Sequence, residues 1–388
     1  MTDAEQPLDL VPLAGSERPD SPGVRPHGAL APDAPVEATL ILRRRDAVPD
    51  AALTSPLSRA DFASTYGASD EDIELVTSTL KPLGVTIEST STAERRVRVS
   101  GPARVMARVF GTDLIEAESD AAAAGVTHRH RSGGLSIPAA LDGVVTAVLG
   151  LDDRPQARAL FRVAMPRAVS TSYTPLELGT IYKFPEGTDG SGQTIAIIEL
   201  GGGFVQEDLD AYFAGLGITG PKVTAVGVDG GKNDPGSDPN GADGEVMLDI
   251  EVAGALAPGA HIIVYFAPNT DAGFVDAVIA ASHATPTPAA ISISWGQSED
   301  AWTQQARAAF DEALVDAAAL GATTTAAAGD DGSTDRVSDG RAHVDFPASS
   351  PTRSRAAEPD SRRTLRRASF SRRRCGTTAP AEAPPAAG

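Results

Sequence analysis

The chain has 388 residues, 41% of them hydrophobic, a formal charge of −19 and a single cysteine, Cys375. That length exceeds one average domain and predicts two, while the acidity argues against nucleic acid and anionic membranes, which attract basic surfaces. One cysteine excludes an intramolecular disulfide framework and a cysteine-rich metal site.

Residues 1–35, rich in Pro, Asp and Gly, read as a disordered leader. The start, M-T-D-A-E-Q-P-L-D-L, has neither the basic nor the apolar region of a conventional signal peptide, and no apolar run is long enough to span a bilayer. From 36 the pattern tightens. V-E-A-T-L-I-L-R-R reads as a strand; Ser58 to Tyr66 and Glu71 to Leu83 read as helices, the second with Ile73, Val76, Leu80 and Leu83 at helical spacing. V-T-I-E-S and R-V-R-V-S alternate as strands, Pro102 to Phe110 forms a helix opened by proline, and a last strand is expected near 113–117. This is the ferredoxin-like order, an α+β domain over 36–160 whose pattern fades near G-L-D-D-R-P at 150–155. Residues 161–173 read as a linker.

From 174 the period changes. Q-T-I-A-I-I-E-L, H-I-I-V-Y-F, A-I-S-I-S-W and A-T-T-T-A-A-A are continuous apolar runs of the kind buried in a parallel sheet. Helical patterns over 206–216, 244–257, 273–283 and 302–320 separate them, so the second domain, 174–351, is expected to be a doubly wound parallel α/β sheet with its active residues at strand ends. Residues 352–388 break the pattern with nine Arg, no Lys and three acids, a local charge of +6.

The candidate chemistry sits in G-E-V-M-L-D-I-E-V-A-G-A-L-A-P at 244–258, where Glu245 and Asp249 lie four positions apart and so stack on one helix face. Like charges so close repel, which suits a site that moves protons; the alternative is a solvated face. The acidic loop at 229–243 lacks the spacing of an EF-hand and reads as a solvated loop. Gly201 to Gly203 contain no G-x-G-x-x-G, and the six His form no metal pair at i, i+4.

Longer motifs carry a resemblance: I-A-I-I-E-L-G-G-G at 195–203, D-G-E-V-M-L-D-I-E-V-A-G-A-L-A-P-G-A at 243–260, Y-F-A-P-N-T-D-A-G-F at 265–274, S-I-S-W-G at 292–296 and A-A-A-G-D-D-G-S-T-D at 326–335. With S-R-A-D-F and Y-G-A-S-D-E-D near 58–72, they resemble the sedolisins, serine-carboxyl peptidases of subtilisin-like fold, in their kumamolisin-type precursor form. The resemblance implies an acid endopeptidase acting through an acyl-enzyme, with Glu245 as general base, Asp249 orienting it and Asp330 as the oxyanion residue. Glu199 and Trp295 match a supporting hydrogen-bond network. Asp330 could instead cap its turn, with Asp331 the neighbour to confuse it with, and Glu199 and Trp295 could be ordinary strand-end and core residues. The resemblance further implies a propeptide acting as intramolecular inhibitor, peptide substrates, a monomer and an extracellular setting. A carboxylate base works near its own pKa, about 4 to 5 for Glu, and an Asp oxyanion donor must be protonated, so activity is expected in acid.

The family nucleophile lies in a G-T-S-x-x-x-P motif that this sequence lacks; Gly376-Thr377-Thr378-Ala379-Pro380 has Thr where Ser belongs. Read one base earlier, the codons of 352–360 can encode Y-A-L-A-G-G-G-T-R, similar to family members after F-P-A-x-S-P, so the tail reads as out of frame. The expectation is a peptidase precursor holding three carboxyls and no serine, with no metal or cofactor, the family's C-terminal calcium site being absent. Two alternatives stand beside it: a non-catalytic fragment that inhibits or chaperones an intact paralogue, and the product of a damaged gene. Missing strands would leave apolar edges exposed, which predicts poor solubility.

Overall fold

The computed structural model describes residues 8–123, 125–160, 173–238 and 241–351. The predicted linker, apart from Tyr173, and the tail 352–388 lie outside them.

In the N-terminal domain the strands are β1 (Leu10–Arg18), β2 (Arg25–Ala29), β3 (Pro35–Leu42), β4 (Thr86–Ser91), β5 (Arg96–Pro102), β6 (Ile115–Glu118), β7 (His128–His130), β8 (Gly133–Pro138) and β9 (Val145–Leu149). Its helices are α1 (Arg59–Tyr66), α2 (Asp70–Leu80) and α3 (Ala103–Val109). Ser69 caps α2 by accepting a hydrogen bond from the Asp72 N–H at 3.0 Å, and three acids in the first turn suit the positive end of the helix dipole. The main sheet runs β4-β5-β3-β9, all antiparallel, which is the ferredoxin-like arrangement expected from the sequence.

Two expectations are corrected. The fourth strand is β9, not the segment near 113–117. V-T-A-V-L can bury both faces beside β3, whereas I-E-A-E carries two glutamates and pairs instead with β2 and β7 in a small half-solvated sheet. The disordered leader is, over its described part, built into the domain: β1 pairs antiparallel with β8, and Leu13, Ser16 and Arg18 are buried. The pairing partner is more than a hundred residues away, so composition alone could not show it.

The N-terminal domain ends in β10 (Arg158–Ala159), and the C-terminal domain has α4 (Pro175–Ile181), β11 (Thr194–Glu199), α5 (Gln206–Gly215), β12 (Lys222–Gly227), α6 (Ala242–Leu256), β13 (His261–Phe266), α7 (Asp271–Ser282), β14 (Ala290–Ile293), β15 (Trp295–Ser298), α8 (Gln304–Ala319), β16 (Thr323–Ala326) and β17 (Asp345–Phe346). Five strands form one parallel sheet in the order β12-β13-β11-β14-β16, the doubly wound class predicted. Strand β12 escaped the sequence reading because K-V-T-A-V-G is a half-exposed edge strand and lacks a continuous apolar run. Phe213, Val246 and Ile250 of α5 and α6 cover one sheet face, and Phe274 and Phe310 of α7 and α8 cover the other.

The two domains share a core. Val36, Ala38 and Leu40 point towards α2 and α3, while Ile41, Ala147 and Leu149 join the cluster of Phe274, Trp302 and Phe310. Around this seam arginines of the N-terminal domain meet carboxylates of the other. Arg18 pairs with Asp271 at 3.0 Å, Arg96 with Asp276 at 3.1 Å, Arg98 with Asp229 at 3.1 Å, and Arg44 with Glu312 and Asp316. Gln305 exchanges both amide hydrogen bonds with the Val148 backbone. Burial alone would push the Asp316 carboxyl up, but His283, Arg44 and Arg95 together hold it below its ordinary value.

Removing that carboxylate leaves two buried guanidinium groups, Arg44 and Arg95, to share the half-exposed Glu312. Asp316→Ala is expected to cost about 3–5 kcal/mol in urea unfolding at pH 7. Because the folded-state pKa is depressed, the contribution is complete above the ordinary carboxylate pKa and is lost as pH falls through the depressed value. The gap between wild type and variant therefore closes in strong acid, and an unchanged gap would refute the ion pairing.

Candidate active site

Strands β11 and β14 are neighbours at the point where the sheet's connections reverse direction, leaving a crevice beyond their C-terminal ends. Glu199 is the last residue of β11 and is fully buried. Trp295 follows β14, and its indole Nε1 donates to Glu199 Oε2 at 2.7 Å. Helix α6 enters the crevice from the other side. Its start is fixed by Asp243, whose Oδ2 accepts the backbone N–H groups of Gly236 (3.0 Å) and Asp238 (2.9 Å). Gly202, at φ +70°, allows the loop after β11 to press on this start, since a Cβ there would lie 2.5 Å from the Ala242 carbonyl carbon. Gly201 to Gly203 therefore serve close packing.

One turn of α6 then delivers Glu245 and Asp249 into the crevice beside Glu199. Glu245 is only 3% exposed and its Oε2 has no hydrogen-bond partner. Ser294, between β14 and β15, donates its hydroxyl to Asp249, lying 2.9 Å from Oδ1 and 2.8 Å from Oδ2. Three carboxyls thus share one poorly hydrated space, and the electrostatics follow. Burial first, then the Asp249 charge, pushes Glu245 up to about 8. Burial raises Asp249 to about 6, restrained by hydrogen bonds from Ser294 and Glu245. Glu199 is raised well above its ordinary value by burial and by Asp249, against a smaller opposing effect of the Trp295 hydrogen bond. Near neutrality the cluster therefore holds protons that isolated carboxylates would have released.

Asp330 stands apart from this buried set. It is exposed, in the turn after β16, and reaches the others through its charge, which adds to the rise of Glu245. Asp331 is ion-paired with Arg336 at 2.8 Å instead. Among the described residues no three His, Cys, Asp or Glu side chains are grouped to hold a metal ion.

The sequence reading missed two parts of the crevice. One is Ser294, a small polar residue inside S-I-S-W-G that carries no signal without the fold. The other is the short strand paired with β15 beside the crevice. Arg158 and Ala159 of β10 pair antiparallel with Gly296 and Trp295 of β15, and the Leu160 N–H donates to the Ser294 carbonyl at 3.0 Å. Two residues cannot show a strand pattern. Behind β15 lies Asp345, pushed up to about 7 by burial and by Asp335 against the pull of Arg158; a Cβ at Gly296 would meet its Oδ1 at 2.0 Å.

Comparison with known proteins shows what the chain as a whole is similar to. Residues 23–154 match the family described as Pro-kumamolisin, activation domain, a match that begins inside the segment first read as a leader. Kumamolisin from Bacillus sp. (strain MN-32) is 44% identical over 361 residues, covering 87% of this chain and 65% of that protein. Tripeptidyl-peptidase sed5 from Aspergillus fumigatus is 30% identical over 380 residues, covering 88% and 65% respectively. A solved structure of Pseudomonas sedolisin, a serine-carboxyl proteinase complexed with two molecules of pseudo-iodotyrostatin, is 26% identical with a TM-score of 0.42, covering 48% of this chain and 53% of that one. The chain spans just under two thirds of the length of the curated relatives it matches, 65% in each case. Residues 23–154 carry a kumamolisin-type activation domain, and the chain as a whole is similar in sequence to peptidases of the sedolisin type.

Proposed function

We propose that this chain is an acid-acting serine-carboxyl endopeptidase precursor that carries the proton-handling half of the site and, as its sequence stands, no nucleophile. Glu245 is the general base, Asp249 orients it, Asp330 donates to the oxyanion, and Glu199 with Trp295 fixes the far side of Asp249. The observation that carries this reading is the convergence of Glu245 and Asp249 with Glu199 beside a strand laid into the crevice. A carboxyl pair that shares a proton can take one from an alcohol and return it to a leaving amine, the two transfers that acyl transfer requires. An oxyanion donor built from a carboxyl has to carry its proton, which favours acid.

The activation domain is the inhibitor. Arg158–Leu160 adds a strand to β15 as an extended peptide substrate would, so the domain blocks the crevice with its own backbone. While it is seated, burial keeps Glu245 protonated across the acid range, and the base is silent. Withdrawal of the strand rehydrates the pair and lowers Glu245 into the working range. The buried arginine–carboxylate seam favours a second reading, in which the domain docks in trans on a relative with the same α7 and α8 surface.

Peptide hydrolysis between pH 3 and 5 separates these. The 388-residue chain is expected to give no turnover and no trapped acyl adduct. With residues 352–388 replaced by the corresponding C-terminal stretch of kumamolisin, which supplies a serine, it should cleave peptides in acid, and Glu245→Gln should lower kcat about 10³-fold or more. A rate that rises through pH 7 would sink the carboxylate-base reading. Inhibition of kumamolisin by the 388-residue chain would support docking in trans.

The pair also makes a stability prediction. A carboxyl raised on folding binds more protons in the native state, so stability falls as pH climbs from the ordinary Glu value of about 4.5 towards about 8. Wild type should unfold at lower urea at pH 8 than at pH 5, and Glu245→Gln should flatten that slope. Equal slopes in the two proteins would show that Glu245 is not buried as described.

A further inference from the structure

Asp249 orients Glu245, but something must in turn hold Asp249 and decide which carboxyl keeps the shared proton. Ser294 is placed to do both. Its Oγ sits 2.9 and 2.8 Å from the two oxygens of Asp249, and it lies near enough to Glu245 to oppose the rise of that carboxyl. A hydroxyl owns one proton. Given to Asp249, that proton stabilises the carboxylate form and leaves the acid proton of the pair on Glu245, whose Oε2 has no other partner. The same residue holds the crevice strand, since its backbone carbonyl accepts the Leu160 N–H. One residue therefore touches both the occupant of the crevice and the carboxyl pair. The charged and titratable groups around it are Glu245 and Asp249 on α6, Glu199 at the end of β11, and Asp330 after β16; Trp295 is the neighbouring donor.

We propose that Ser294 is a positioning residue: it fixes Asp249 through its hydroxyl and so seats the shared proton on Glu245. This rests on the reading of Glu245 and Asp249 as the base and its partner.

Carboxyl titration of the full 388-residue chain tests it without requiring turnover, by carbon-13 NMR of labelled Asp and Glu side chains in wild type, Ser294→Ala, Ser294→Thr and Glu245→Gln. Wild type should titrate in two steps, near pH 6 and pH 8. Ser294→Ala should raise the proton affinity of the lower step about tenfold, a shift of about one pH unit. Ser294→Thr, which keeps the hydroxyl, should restore it; a purely steric role would give no such rescue. Should Ser294→Ala not fold, Ser294→Cys, a weaker donor of similar size, should shift the lower step in the same direction by less. An unmoved lower step in the folded variant overturns the proposal. If Glu245→Gln leaves both steps in place, the pair itself is absent and the functional reading fails, a result distinct from failure at Ser294.

Discussion

Desolvation of like charges at one end of a parallel sheet is the constraint from which the rest follows. Glu199, Glu245 and Asp249 cannot all be ionised in a space that admits so little water, so the cluster must share protons or hydrogen bonds. A sheet whose connections reverse between β11 and β14 provides that space, because the connections leave these two neighbouring strands in opposite directions. Each supporting device has a local cause. Trp295 supplies a donor to Glu199, Ser294 supplies one to Asp249, and the loop closed by Asp243 sets where α6 begins.

The N-terminal domain is tied to this site by two kinds of contact. Its sheet is two-faced: one face is covered by its own helices, and the other is completed only by Phe274 and Phe310 of the C-terminal domain. Its arginines meet carboxylates on α7, α8 and the loop after β12. Such a seam combines non-directional burial with charge pairs that fix register. From it the chain runs into β10, so the seam and the β10–β15 pairing lie close together in the sequence. The physical link between the two domains is covalent as well as energetic.

Much of the C-terminal domain was legible because a parallel sheet buried on both faces writes itself as apolar runs. The runs around Ile197, Val264 and Ile291 became β11, β13 and β14, and the amphipathic segments between them became α5 to α8. Glu245 and Asp249 were legible as a pair because helical spacing alone puts them on one face. The N-terminal domain was harder. Its ferredoxin-like order was readable, yet the last strand was expected near 113–117 and is V-T-A-V-L instead, because short-range pattern does not say which strand lies beside β3. Strand β1 was unreadable for the same reason, since Leu10 to Leu13 gain their meaning from Leu135 to Pro138.

By itself the sequence determined the alternation of strands and helices and the acidic pair on α6, both of which depend on residues near one another in the chain. Only the tertiary structure decided that Ser294 and Glu199 meet Asp249 while Leu160 reaches the Ser294 backbone, and that burial rather than mutual repulsion is the chief cause of the raised carboxyls. The reason is physical: desolvation is a property of everything that surrounds a group, and those surroundings come from segments separated by tens to more than a hundred residues.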